Sequence, residues 1–366
     1  MTVARISRID ECYNRLMVWP TAVSRNLLYV GFLSPGQTSS MRMNALRALG
    51  FQVTGIDMSI GGRPGPRLTE NPLLYASFRV KFPMDPNGVN QHLAKGHFQD
   101  LGILWLDRTV AIRPNTLRSF RINNPRTLII GFSADDMMLK NNLTHYYHPQ
   151  LRLYDLMITT KSFHVAELTQ VGCPRVVFID NGFDPDTHCP PTLPISGPMI
   201  DVGFIGTYEK ERAEDIVKLA QLGIPVTVHG HAWRSRKLHR TTNLTIYPPT
   251  EGTSYAETIY RTRINLGFLR RISRDVQTTR SVEIPACGGF MLTERTQEQE
   301  AMFTEGVDVE FFSGFDEMLK KVRYYLAHED ERAKIARAGL RRCVESDYTW
   351  ASRLQGALTE AGLDVR

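Results

Sequence analysis

The chain has 366 residues, 42% hydrophobic and 22% charged, with 27 Gly and 20 Pro. At about 150 residues per domain, this balance implies two globular domains with sizeable cores. It excludes a fibrous repeat, a mostly disordered chain and, with five cysteines and no CxxC pair, a disulfide framework or a zinc ribbon. The formal net charge of +6 sits entirely in residues 1–192, where 20 Lys+Arg face 14 Asp+Glu. That half either meets an anionic partner or carries an ordinary solvated surface. No Lys/Arg block marks a nucleic-acid arm, so nucleic acid is not the expected partner.

The opening MTVARISRIDECYNRLMVWP has charges where a signal peptide needs an apolar core. The longest apolar runs fall far short of the roughly 20 residues of a membrane helix, so a cytoplasmic protein is expected. Six continuously apolar runs then read as strands buried on both faces: 26–32, 51–57, 102–107, 126–132, 155–160 and 175–180. Helical spacing intervenes at 40–50, stopped by Gly50, and at 162–172, with Ser162 as N-cap and Gly172 as stop. The segment CPPTLPISGP (189–198) holds four prolines and one glycine and reads as a linker. The rhythm restarts with strands at 200–206, 224–230, 243–247, 263–268 and 289–293 and a helix at 209–222. A last helical region follows, with Ser313 and Asp316 as a capping-box start. The expected layout is a first domain over 1–190, a hinge over 191–198 and a second domain over 199–345. A C-terminal helix over 346–366 is expected to pack back on the first domain. Each domain is doubly wound α/β, and a ligand belongs in the cleft at the carboxyl ends of the strands.

The densest chemistry lies in 261–293. Residues 261–280 hold six arginines against one acid, Asp275, and run from a strand into a loop and a helix starting near Thr278 and Thr279. Arginine forks and a helix N-terminus can bind a diphosphate. Glu283 follows inside that helix, placed either to accept a ribose diol or to pair with Arg280. The Cys287-Gly288-Gly289 turn then leads into the next strand.

The segment TTRSVEIPACGGFMLTE (278–294) strongly resembles the hallmark of the CgeB-like, spore-maturation-type branch of the group 1 glycosyltransferases. VGFIGTYEKERAE (202–214) resembles that family's opening of the second domain, and 154–190 the close of its first. FSADDMM (132–138) stands where the family often has an NPDD-like element, so the likeness spans roughly residues 26–355. It implies a GT-B fold: two doubly wound Rossmann-like domains facing an interdomain cleft, the first for acceptor and the second for nucleotide sugar. By that resemblance Glu283 binds ribose, and Arg274 and Arg280 contact the diphosphate. Gly288 and Gly289, within the hallmark, join the donor site.

Other residues come in by position. Gly206 and Thr207 end the first strand of the second domain, with Arg212 a turn further on, beside the donor phosphates or as a cap and a solvated arginine. His229 (or Trp233) meets the base. Asp275 stands eight residues before Glu283, where retaining relatives carry a glutamate near the sugar; otherwise it orients Arg274 or caps the helix. Asp135 and Asp136 follow a strand and serve as base, as acceptor contacts or as a helix cap. Gly36 and Ser39, in the first strand–helix turn, line the cleft for acceptor or sugar, and Lys161 either points into it to balance phosphate charge or simply lies at a helix N-terminus. No GxGxxG, P-loop or metal motif is present, and the arginines supply the charge a metal would bring. The expectation is a metal-independent glycosyltransferase without cofactor. It takes a nucleotide-sugar donor and an acceptor hydroxyl, either anionic or at a membrane surface. The alternatives are a sugar-nucleotide epimerase on the same scaffold, a non-catalytic GT-B module or a nucleic-acid-modifying transferase.

Overall fold

The computed structural model describes residues 23–62, 65–140, 142–192 and 197–363. The N-terminal stretch weighed above as a signal peptide, Cys12 and residues 193–196 of the Pro-rich segment lie outside them.

The first half contains strands β1 (Asn26–Gly31), β2 (Gln52–Asp57), β3 (Leu101–Asp107), β4 (Leu128–Ser133), β5 (Leu156–Thr159) and β6 (Val176–Phe178). Its helices are α1 (Thr38–Ala48), α2 (Pro72–Arg79), α3 (Val89–Lys95), α4 (Pro114–Asn123), α5 (Tyr147–Leu151) and α6 (His164–Gln170). The second half contains β7 (Ile200–Ile205), β8 (Val226–His229), β9 (Leu244–Tyr247), β10 (Thr262–Gly267), β11 (Met291–Glu294) and β12 (Glu310–Phe312). Helices α7 (Lys210–Gln221), α8 (Arg236–His239), α9 (Thr253–Arg261), α10 (Arg280–Ala286), α11 (Gln297–Met302), α12 (Phe315–Ala327) and α13 (Glu329–Glu345) accompany them. Helix α14 (Trp350–Glu360) comes last.

The strands form two parallel six-stranded sheets, ordered β2-β1-β3-β4-β5-β6 and β12-β11-β10-β7-β8-β9. Parallel strands need helical crossovers, which cover both faces and explain the continuous apolar runs of β3, β4 and β5. Edge position overrides that pattern. Strand β2 was expected to be buried on both faces, yet none of its six residues is fully buried, because it has a neighbour on one side only. The three-residue β12 escaped the sequence reading: its first residue is Glu310, buried through bonds from Tyr325 (2.6 Å) and Lys321 (2.5 Å).

Strand order reverses between β1 and β3 and again between β7 and β10, so the crevices open at the carboxyl ends of those strands. Helix α14 crosses back to the first sheet: Trp350, Leu354, Ala357 and Leu358 share one core with Leu27, Tyr29, Trp105 and Phe132.

Two caps differ from expectation. Helix α6 starts at His164 with Phe163 as N-cap, and the Ser162 hydroxyl instead reaches Glu298 in the second half. The cap of α12 is Gly314, and Glu317 rather than Asp316 accepts the Ser313 N–H, at 2.8 Å.

Candidate active site

On the second-domain side, three segments meet at the β7/β10 reversal. Arg212, in the first turn of α7, folds back under the loop leaving β7, donates to the Thr207 carbonyl and lies 5.1 Å from the Phe204 ring. Only 4% of it is exposed, and its Nε and Nη1 have no hydrogen-bond partner. Burial pulls its pKa down to about 10, with Glu209, 3.9 Å away, opposing. The charges of Arg280, Arg270 and Asp275 also act on it, so these residues surround one point. Arg280 opens α10, and its Nε is likewise buried without a partner. Arg270 is held by Glu209 at 2.7 Å.

One turn into α10, Glu283 is buried and accepts the Tyr255 hydroxyl at 2.7 Å, with His188 Nε2 3.7 Å away. Burial and the Glu283 charge push the Tyr255 pKa well up, so the phenol stays a donor.

The first domain contributes the ends of β4 and β5. Asp136, fully buried, accepts from His164 Nε2 at 3.0 Å and from Arg274 Nε at 2.5 Å. Burial alone would raise its pKa, but those two partners outweigh it and hold the carboxyl below its usual value. Burial keeps His164 neutral against the pull of Asp136. Asp136, His164 and Glu167 offer ligand atoms within 4.8 Å of one another, an arrangement able to hold a metal ion. The positive charge there is the Arg274 guanidinium, which also donates to both Glu167 oxygens at 2.7 and 3.0 Å. Next to it, Asp275 pairs with Lys161 at 2.5 Å, both nearly buried. Burial raises the Asp275 pKa, and Lys161 counters it. Asp135, half-buried, pairs with Arg108 at 2.8 Å and is near enough to influence Asp275.

Several expected site residues therefore converge: Arg212, Arg280, Asp275, Lys161 and Asp135. Gly36, at φ +80°, faces across the gap, where an added Cβ would stand 3.1 Å from the Glu251 carboxylate. Gly206 accepts the Trp233 indole N–H through its carbonyl at 2.9 Å, and Thr207 is exposed beside it. His229 stacks on Tyr247 with ring centroids 5.0 Å apart.

Other residues are elsewhere. Ser39 does not line the cleft: it is buried, with its hydroxyl and carbonyl both against the Tyr29 hydroxyl. Gly288 and Gly289 lie beyond the C-terminal end of α10, away from the helix terminus that can hold an anion. A Cβ on Gly289 would come 2.5 Å from Ile259, so Gly289 serves close packing, and Gly288 supplies the left-handed φ of +76° of the turn. Arg274 pairs with carboxylates, and Asp136 has no exposed surface. Tyr255, His188, Glu209 and Glu167 were not singled out from sequence, because nothing local marks a partner many residues away.

The whole is a two-domain α/β molecule with buried, incompletely bonded arginines gathered at a strand-order reversal. Comparison with known proteins places a family likeness in the second half. Residues 212–359 match the model of a family described as Glycosyl transferase-like. No curated protein matches the chain. Among solved structures it is similar to Alr3699/HepE of Anabaena in complex with UDP-glucose, with 12% identity, 92% of this chain and 99% of that one covered, and a TM-score of 0.57. It is also similar to a sucrose-phosphate synthase from Thermosynechococcus elongatus (13%, 92% and 97%, TM-score 0.61). A third likeness is to the DNA modifying enzyme beta-glucosyltransferase (12%, 91% and 99%, TM-score 0.57). At these identities the likeness establishes the fold. It is GT-B, two Rossmann-like domains, as the sequence resemblance implied.

Proposed function

We propose that the chain is a metal-independent glycosyltransferase of the CgeB-like branch, moving a sugar from a nucleoside diphosphate to an acceptor hydroxyl. One observation carries this reading: Arg212 and Arg280 present buried N–H groups without partners at the β7/β10 reversal. A buried guanidinium with unmet donors is costly unless an anion completes it. A diphosphate offers oxygens to both guanidinium groups, and two fixed cations stabilise it as it departs. Glu283, held by Tyr255, accepts the ribose hydroxyls. Asp135, with Asp136 fully buried, is the carboxylate available to take the acceptor proton, and Asp275 with Lys161 borders the sugar. A reducing cytoplasmic setting belongs to the same proposal, since the described cysteines Cys173, Cys189, Cys287 and Cys343 are all free.

Calorimetric titration with UDP, UMP and uridine tests it. Affinity is expected to climb with each phosphate. Arg212→Met is expected to cost about 1.5–3 kcal/mol of UDP binding, roughly tenfold to a hundredfold. Equal binding of uridine and UDP would remove the diphosphate from the site. Turnover of UDP-sugar with no acceptor, giving an isomerised sugar, would make the protein an epimerase instead.

A further inference from the structure

Two neighbouring residues of the second domain, Arg274 and Asp275, meet opposite charges on the first. Arg274 ends a single 3-10 turn, Arg271–Ser273, in the left-handed conformation at φ 50°, which L residues rarely adopt. From there all three of its nitrogens are used: Nε on Asp136, Nη1 and Nη2 on Glu167. Its guanidinium carbon sits 4.3 Å from the Phe163 ring, which forms the floor of this socket. The receiving carboxylate is itself fixed, since Asp136 takes a second bond from His164, whose other ring nitrogen lies 3.2 Å from Thr159 Oγ1. One residue on, the polarity reverses and Asp275 meets Lys161. Gln277 extends the seam by accepting the Asn181 N–H at 3.0 Å and donating to Asp180 at 2.7 Å.

We propose that Arg274 is a positioning residue that seats the second domain on the first and registers Asp275 against Lys161, rather than a contact to the donor's phosphates. The proposal rests on the reading of Arg212 and Arg280 as the diphosphate site. The contrast between the arginines carries it: Arg212 and Arg280 keep buried nitrogens without a partner, and every nitrogen of Arg274 is bonded to a first-domain carboxylate. The alternating charges also give the seam a register. Sliding the domains by one residue in one direction sets Arg274 toward Lys161, and in the other direction sets Asp275 toward Asp136 and Glu167, like against like either way. Closure around a donor then repeats one geometry, with Asp275 and Lys161 brought to the sugar.

The test uses the full chain, comparing wild type with Arg274→Ala, Arg274→Lys and the charge-exchanged pair Arg274→Glu with Glu167→Arg. Three readouts are taken: small-angle scattering without ligand, calorimetric UDP affinity, and kcat against KM for UDP-sugar turnover. Arg274→Ala is expected to enlarge the radius of gyration, leave UDP affinity within about twofold and lower kcat on the order of tenfold to a hundredfold. Arg274→Lys, which keeps charge but loses the fork, is expected to fall between. The exchanged pair is expected to recover the compact radius and part of kcat, which a merely local role would not produce. A UDP affinity weakened about tenfold or more, with an unchanged radius, would make Arg274 a phosphate ligand and overturn the proposal. If the wild type binds no UDP, the diphosphate reading fails. The scattering and the exchanged pair still decide the seam, since a radius unchanged by Arg274→Ala overturns it alone.

Discussion

Burial sorts the work of the charged residues around the cleft. Arg212 is buried with two nitrogens unmet, whereas the Arg274 side chain is 42% exposed and fully paired. Glu283 illustrates the same sorting among acids. It has lost its water to α9 and α10 and kept one strong donor, the Tyr255 hydroxyl. Replacing Glu283 by Ala is expected to weaken UDP binding by about 1.5–3 kcal/mol, as for loss of hydrogen bonds to a charged group. Tyr255→Phe removes only the orienting bond and is expected to cost about 0.5–1.5 kcal/mol. Calorimetry with UDP measures both, and a Tyr255→Phe loss larger than that of Glu283→Ala would mean that the phenol itself contacts the nucleotide.

At the scale of elements, an ionic cluster backs the apolar burial of the short sheet edge. Strand β12 pairs with β11 and buries Phe311 and Phe312, and Lys321 of α12 ties Glu310 at 2.5 Å and Glu305 at 2.6 Å. Arg295 meets Glu305 from the end of β11 at 2.7 Å. Bonds from Arg295 first, and from Lys321, pull the Glu305 pKa from 4.5 to about 2. A depressed folded-state pKa favours folding above the unfolded value and loses that benefit as pH falls through the folded one. The stability Glu305 adds is therefore complete above about pH 4.5 and gone by about pH 2. Urea unfolding of wild type and Glu305→Gln is expected to give separate midpoints at pH 7 that converge as pH drops from 4.5. The difference is modest, because Glu305 is partly exposed and solvent screens it. Midpoints that stay equally apart at pH 3 would refute the assignment.

At the scale of the molecule, the chain's end completes its beginning. Helix α14 buries Trp350 on the first sheet, where the ring also covers Arg42 at 5.0 Å. Arg42 forks onto Asp107 at 2.7 and 3.0 Å, and the Tyr29 hydroxyl donates to the same carboxylate at 2.5 Å. Trp350 thus closes both an apolar core and a buried ion pair. Trp350→Ala is expected to lower stability by about 3–5 kcal/mol, the usual cost of emptying so large a site. A urea midpoint within error of wild type would show that α14 is dispensable to the first core. Among the described residues no helix is long and apolar enough to cross a membrane.

Much of this was legible before any coordinate. Apolar runs and their spacing located eleven of the twelve strands to within a few residues at each end, with β2 differing in its burial alone and the three-residue β12 missed, because covered parallel strands must be continuously apolar. The concentration of arginine over 261–280 marked the cleft, and the 278–294 segment marked the family likeness. The assignment of each arginine came only with the tertiary structure. Arg274 and Asp136 are 138 positions apart, Lys161 and Asp275 114 apart, and no local pattern encodes such pairings. Periodicity records which faces leave water. Which charges then find one another depends on where two separately folded sheets come to rest, and that is settled by packing across the cleft.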